Sequence, residues 1–259
     1  MNSTNPKLTI LIPALREEKR IGKTLDELAS FLRSDKLLSK IDVEVLVVSA
    51  TSTDATHEVV LSKVKKFKNL NLLKPGAPIG KGRDVKYGML RAKGEVVIFM
   101  DADLATPLKH LPQFYKSYIN GDADVIIATR NLRKHHASKL RRLLSNTGNL
   151  LFRIASGVWV EDSQCGFKMF SKDAAKVCFS KLTIMKWGFD MEVLAIARAN
   201  KLNIETRRIN DWISVPGGTF EAGFVGNALS SLNELMYIFI NRVKRTYVAD
   251  NVIKKRRDT

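Results

Sequence analysis

Glu95-Val96-Val97-Ile98-Phe99-Met100-Asp101-Ala102-Asp103 is an apolar run of strand length that ends in two carboxylates one residue apart. Val, Ile and Phe at this density favour a strand buried on both faces. Its two acids therefore stand at a sheet edge. In open α/β sheets that carboxyl edge is where ligands bind, and hard oxygen ligands there suit Mg²⁺ or Mn²⁺ carrying a diphosphate. The competing reading is a strand followed by a polar turn, since Asp is a common turn residue.

Outward from this strand, the first half of the chain alternates apolar strands with helical patterns, which argues for a mostly parallel sheet with helices on its faces. The expected strands are Leu8–Ile12, Val43–Val48, Leu70–Leu73, Val96–Met100 and Val125–Ala128. Ile21, Leu25, Leu28 and Leu32 recur at helical spacing, as do Val59, Val60, Val64 and Phe67, with Thr53 or Asp54 as N-cap of the second helix. A third helix is expected from near Gly82 to near Gly94. The second half is less regular. It reads as helices around Leu140–Ile154, Asp173–Phe179 and Phe189–Asn200, strands near Phe167–Phe170 and Ile204–Arg208, and a last helix from about Gly226 to Lys244. That helix is amphipathic, with Leu229, Leu232, Met236, Phe239 and Ile240 largely on one side, and a basic tail ending in Lys254-Lys255-Arg256-Arg257 follows.

The 259 residues suit one large α/β domain with an extension better than two small domains. We expect a domain over 1–222 and a membrane- or partner-facing helix and basic tail over 223–259. Lys and Arg outnumber Asp and Glu by 43 to 26, giving +17, which points to an anionic partner: nucleic acid, phosphorylated substrate or anionic membrane. Cys165 and Cys178 have no metal-ligand spacing, so a reduced, cytosol-facing protein is expected. The N-terminus lacks the apolar core of a secretory signal, and no apolar run is long enough to span a membrane.

Three further segments carry chemistry. The first strand breaks at Pro13 and passes through Ala14-Leu15-Arg16-Glu17-Glu18 into a helix, so a nucleoside could rest on the Pro13, Ala14 and Leu15 backbone while Glu17 accepts hydrogen bonds from a sugar or base; an ordinary acidic helix start reads equally well. Gly80-Lys81-Gly82-Arg83-Asp84 precedes a helix whose free N–H groups suit an anion, with Lys81 able to meet a phosphate. Its spacing is not that of a Walker loop. Past the fifth strand come Arg130, Arg133, Lys134, Lys139, Arg141, Arg142, Ser145 and Asn149; Arg141, Ser145 and Asn149 share a helix face, where guanidinium and hydroxyl could hold a phosphate dianion, or form a solvated basic face.

In order along the chain, Ile12-Pro13-Ala14 with Glu17-Glu18-Lys19-Arg20-Ile21, Ser52-Thr53-Asp54, Gly80-Lys81-Gly82, Asp101-Ala102-Asp103, Asp162-Ser163-Gln164-Cys165-Gly166-Phe167-Lys168, Trp187-Gly188-Phe189-Asp190-Met191-Glu192 and Val215-Pro216-Gly217-Gly218 resemble the family 2 glycosyltransferases of the GT-A fold. The resemblance covers about residue 8 to about 220 and is closest to the dolichyl- or polyprenyl-phosphate β-glucosyltransferases. It implies a Rossmann-like sheet, UDP-glucose as donor, a polyprenyl or dolichyl phosphate as acceptor, Mg²⁺ or Mn²⁺ as cofactor, and a peripheral place on the cytosolic face of a membrane. By that resemblance Asp101 and Asp103 hold the metal; Pro13, Ala14, Leu15, Glu17, Ser49, Lys81 and Ala102 line the nucleotide-sugar site; Arg130, Arg141, Ser145 and Lys168 hold the acceptor phosphate. Asp190 would serve as base if the acceptor were a hydroxyl.

Two departures stand out. The family commonly has Asp-Asp-Gly-Ser after its second strand, where this chain has Ser49-Ala50-Thr51-Ser52, so a neutral hydroxyl replaces the carboxylate that meets the base. Ala105 stands where mannosyl relatives often carry Gln as a further metal ligand, leaving water to complete the shell. The alternatives are a polyprenyl-phosphate mannosyltransferase, a family 2 enzyme acting on a saccharide or protein hydroxyl, a nucleotidyltransferase, and a catalytically silent nucleotide- or lipid-binding scaffold. A nucleic-acid-binding role is disfavoured, since Phe152 is the only aromatic around Arg130–Arg153. The C-terminal helix could instead serve a homodimer or a membrane-protein partner.

Overall fold

The computed structural model describes residues 7–121, 123–130, 139–213 and 228–249; for 139–146 and 228–231 the backbone alone is described. The Val215-Pro216-Gly217-Gly218 segment, Arg133, Lys134 and the basic tail at 254–257 lie outside these residues, as do the side chains of Arg141 and Ser145. Seven strands form one sheet: β1 (Leu8–Pro13), β2 (Val43–Val48), β3 (Leu70–Leu73), β4 (Val96–Met100), β5 (Val125–Arg130), β6 (Phe167–Ser171) and β7 (Ile204–Ile209). The order is β3-β2-β1-β4-β6-β5-β7. All pairings are parallel except the two made by β6, which runs antiparallel between β4 and β5.

This order sets the site. The chain leaves β1 toward β2 and β3, then returns to place β4 on the other side of β1, so a crevice opens at the carboxyl ends of β1 and β4. Because β6 is reversed, the residues that precede it, Asp162–Gly166, arrive at the same edge as the residues that follow β4 and β5. Three loops with charged side chains thereby meet at one rim.

Helices cover both faces, as near-continuous apolar strands require. On one face α1 (Ile21–Ser34) buries Ile21, Leu25 and Leu28, α2 (Thr56–Ser62) buries Val60, and α4 (Leu111–Ile119) buries Leu111, Phe114 and Tyr115 against Ile10, Ile98, Ile126 and Met169. On the other, α3 (Lys81–Met89), α5 (Lys139–Ser156), α6 (Lys172–Lys181), α7 (Phe189–Ala199) and α8 (Ala228–Val243) pack on Val97, Phe99, Ile127 and Phe170. Each fully buried Leu, Ile or Phe adds about 1.5–3 kcal/mol of burial energy, which makes this double-sided core the main stabilising term. The second helix begins later than expected, with Ala55 rather than Thr53 or Asp54 as its N-cap and no side-chain cap; the Asp54 carboxylate instead accepts from the Thr56 N–H two residues on, at 3.2 Å. The third helix is shorter than expected, since the chain turns after Met89 so that Gly94 N–H reaches Thr9 Oγ1 at 2.9 Å. Leu235 and Ile238 of α8 join the same core as Phe152 and Val193, while Met236, Phe239, Ile240 and Val243 stay exposed.

Candidate active site

β4 delivers Asp101 and Asp103 to the rim. Asp101 Oδ1 is ion-paired with Lys81 Nζ, from the first turn of α3, and Lys81 Nζ also lies 5.7 Å from the Trp187 ring centre. Burial opposes the Lys81 charge, but Asp101, Asp190 and Asp103 outweigh it and raise its pKa. Asp103 Oδ1 accepts from the Ala105 N–H at 2.9 Å, and the turn between the acids is fixed by Thr24 Oγ1, which donates to Ala102 O at 2.5 Å. Burial, and then the charge of Asp101, push the Asp103 pKa up. Glu17 joins the same field: burial raises its pKa, Arg20 at 3.2 Å lowers it, and Asp103 and Asp101 raise it further. Its Oε2 is buried with no hydrogen-bond partner among the described residues.

Two crowded carboxylates with raised pKa and a third acid nearby form a donor set that favours a hard divalent cation. Among the described residues no group of three His, Cys, Asp or Glu is arranged to hold a metal ion by itself. Backbone strain is stored beside both acids, because Arg16 (φ 58°) precedes Glu17 and Leu104 (φ 54°) follows Asp103 in left-handed conformations that L-residues rarely adopt.

The loops after β1 and β2 are laced together. Glu17 N–H donates to Thr56 Oγ1 at 2.8 Å, Glu18 N–H to Asp54 Oδ2 at 3.2 Å, and Ala55 N–H to Glu18 Oε2 at 3.0 Å. Pro13 ends β1, and Ala14 N–H continues the ladder to Val48 O at 2.9 Å, leaving Leu15 exposed at the mouth. Ser49 is buried, with its Oγ and the Ala50 carbonyl each 3.1 Å from His57 Nε2. The Ala50 N–H faces the buried Asp84 carboxylate, whose pKa burial raises and whose Oδ1 lies 3.0 Å from Arg83 Nε. A histidine and an α3 carboxylate thus crowd the position where the family commonly carries acids after β2, an arrangement no local sequence signal announces.

On the far wall Arg130, at the end of β5, is held bidentately by Asp162: Nε to Oδ2 at 2.6 Å and Nη2 to Oδ1 at 2.8 Å, with the Arg130 N–H also on Oδ2 at 3.1 Å. Burial penalises both charges, yet each holds the other ionised, so the Asp162 pKa falls and that of Arg130 rises. Arg130 also lies 5.4 Å from the Trp212 ring centre. Lys168 differs from the expected phosphate contact. It is fully buried on β6, beneath the Phe99 ring, and its Nζ is taken up by Asp190 of α7 and by Cys165 O at 2.6 Å. The reason is register: Lys168 pairs with Phe99 and Ile127, whose side chains face the α7 layer. Burial pushes Asp190 up while Lys168 and Lys81 pull it back. Asp162 and Trp212 join the candidate site through Arg130, and no sequence motif gives either of them a role there.

Gly80, Gly82 and Gly166 are there for closeness. A Cβ on Gly80 would lie 2.6 Å from Met185 O, and one on Gly82 2.6 Å from Phe189 Cβ, so the Lys81 turn lies flush against the segment that leads into α7.

Residues 9–179 match the family described as Glycosyl transferase family 2. The chain is 29% identical over 244 residues to a dolichyl-phosphate beta-glucosyltransferase of Trichomonas vaginalis, covering 90% of this chain and 74% of the relative. It is 30% identical over 232 residues to the dolichyl-phosphate beta-glucosyltransferase of Dictyostelium discoideum, covering 84% and 69%. Among solved structures, glucosyl-3-phosphoglycerate synthase from Mycobacterium tuberculosis, in complex with Mn²⁺, UDP and glucosyl-3-phosphoglycerate, superposes with a TM-score of 0.60 at 18% identity, covering 95% of this chain and 81% of that one. The fold is GT-A, and the acids, cations and strained turns described above sit at the carboxyl edge of its parallel strands. The chain belongs to glycosyl transferase family 2 and is a glycosyltransferase.

Proposed function

We propose that this glycosyltransferase moves glucose from UDP-glucose to the phosphate of a dolichyl or other polyprenyl phosphate, with inversion, as a peripheral protein on the cytosolic face of a membrane. The observation that carries the reading is the arrangement at the rim: Lys81 on Asp101 beside Asp103 on one side and Arg130 on Asp162 on the other, with the Lys168–Asp190 pair buried beneath. These cations are balanced by their own acids, so the rim would gain positive charge for phosphorylated ligands once a divalent cation on Asp101 and Asp103 released Lys81.

A phosphate oxygen of the acceptor attacks the anomeric carbon as the bond from that carbon to the diphosphate oxygen breaks, UDP leaves with the electron pair, and a β-linked glucosyl phospholipid forms. The nucleophile is already ionised near neutral pH, so alignment and charge stabilisation suffice. Asp101 and Asp103 would hold Mg²⁺ or Mn²⁺, which when bound supplies positive charge for the departing diphosphate. Lys81 shifts from Asp101 to the diphosphate. Pro13, Ala14, Leu15 and Ala102 line the nucleotide-sugar, with Glu17 and Ser49 at its polar edge. Arg141 and Ser145 of α5 meet the acceptor phosphate directly; Arg130 and Lys168 act as fixed cations behind it, locked by Asp162 and Asp190. Asp190, tied to Lys168, is engaged as a counter-ion, which favours a phosphate over a hydroxyl acceptor.

Purified protein incubated with Mg²⁺ or Mn²⁺, a panel of UDP- and GDP-sugars and polyprenyl phosphate tests this. Glucosyl lipid from UDP-glucose is the expected product. Mannosyl lipid from GDP-mannose would reassign the donor, and no glycolipid from any donor while UDP still binds would leave a nucleotide-binding scaffold.

A further inference from the structure

α8 has two apolar faces. Leu235 and Ile238 are buried in the core, whereas Leu232, Met236, Phe239, Ile240 and Val243 are exposed, Val243 by 63%. The exposed face does not end at the helix. Arg242 Nη1 donates to Ile154 O at 2.9 Å, which ties the end of α8 to the end of α5, where Leu150, Ile154 and Trp159 are also exposed, Trp159 by 74%. Arg153 lies 5.7 Å from the Trp159 ring centre and Arg242 5.7 Å from that of Phe239. Lys244 and Arg245 follow, both exposed.

The charge on this face is predominantly positive. Glu234 is the only acid between 228 and 249, and it turns inward to accept the Gly188 N–H; no acid occurs between 147 and 160. Apolar side chains and Trp interleaved with Arg and Lys, with the neighbouring exposed carboxylate Glu161 paired to Arg208 at 2.7 Å, match a lipid headgroup layer of negative charge, where Trp sits at the interface and cations meet phosphate.

Both helices are also tied to the walls of the active site. From α5, Asn149 Nδ2 donates to Glu161 O at 3.4 Å and Arg153 Nε to Val160 O at 3.2 Å, immediately before Asp162, which holds Arg130. From α8, Glu234 holds Gly188, and Tyr237 hydroxyl lies 3.2 Å from Thr183 Oγ1, at the two ends of the segment that packs on Gly80 and Gly82.

We propose that the joint face of α5 and α8 is a docking surface for an anionic lipid bilayer, which sets the acceptor side of the site against the membrane that carries the acceptor. This rests on the acceptor being a membrane lipid. The test is flotation of the full chain with vesicles of phosphatidylcholine alone or mixed with phosphatidylglycerol, using wild type, Trp159→Ala and the double variant Met236→Glu, Val243→Glu, each checked for folding by circular dichroism. Wild type floats with the anionic vesicles and less so in high salt; the double variant loses about tenfold of its bound fraction, and Trp159→Ala loses a smaller part. Transfer to vesicle-embedded polyprenyl phosphate falls in parallel, while transfer to a short, water-soluble prenyl phosphate is unchanged. Equal flotation of folded wild type and double variant overturns the proposal, as does a wild type that binds neither vesicle but forms a dimer dispersed by the same substitutions. Failure of wild type to use the soluble acceptor speaks against the proposed reaction, and flotation still decides the docking surface.

Discussion

Gly166 faces Asp101 so closely that a Cβ built on it would overlap the Asp101 carboxylate. The contact arises because the antiparallel β6 brings its leading residue beside the end of β4, with Phe167 in register with Met100. Gly166→Ala therefore displaces the Asp101 side chain rather than the sheet. Glycosyl transfer is expected to fall by about 100-fold with little change in melting temperature, since misplacement by about 1 Å is enough for such a loss. Steady-state transfer assays beside thermal melts check this, and full activity in the alanine variant would show that Asp101 does not need its present position.

The Lys168 and Asp190 pair is buried on both sides, so each charge depends on the other. Lys168→Met leaves Asp190 buried without its ammonium, and Asp190→Asn leaves the ammonium without its carboxylate; each costs about 3–5 kcal/mol in urea unfolding. The double variant is expected to recover most of that loss, because a neutral pair leaves no stranded charge. Additive losses in the double-mutant cycle would mean that the two residues do not act as a pair.

The seven strands were legible at almost their observed bounds because an apolar run between turn residues is a local signal. α4 is legible too, with Leu111, Phe114, Tyr115 and Tyr118 at helical spacing, although it is not among the expected helices. What the sequence does not carry is the reversal of β6, a choice made by its neighbours. Everything that follows from it was hidden: Asp162 on Arg130 across 32 positions, Asp190 under Lys168, and the need for Gly166. The acids at 101 and 103 were visible as a motif, whereas Asp84 and His57 around Ala50 appear only once α3 and α2 are packed beside β2.

Acid sensitivity follows from the loop network. Against a burial penalty, hydrogen bonds from Ser52, Thr56 and the Glu18 N–H hold the Asp54 pKa down to about 2. Lys109, with His110, holds Asp211 at about 2 as well. Both values lie below the ordinary 3.8, so over that interval the folded state binds fewer protons than the unfolded one. Their contribution to stability is complete above about pH 4 and is lost as pH falls toward about 2. Melting temperatures recorded across that range are expected to decline less steeply in Asp54→Asn than in wild type; parallel curves would remove Asp54 from the account.

Restoring an acid at the end of β2 is expected to fail in isolation. Ala50 is fully buried, its carbonyl accepts from His57, and its N–H already faces the Asp84 carboxylate. Ala50→Asp places a second carboxylate beside one whose pKa burial has raised, and like charges in a dry pocket disfavour each other. The single variant is expected to lose on the order of 2 kcal/mol or more in urea unfolding, as burying an uncompensated polar group does. Ala50→Asp combined with Asp84→Ala removes the clash and is expected to regain that stability while binding UDP at least as tightly as wild type by isothermal titration. If the single variant is as stable as wild type, Asp84 is not the occupant of that position; if the double variant is stable but binds UDP more weakly, Asp84 itself contributes to holding the nucleotide and cannot be exchanged for an acid on β2.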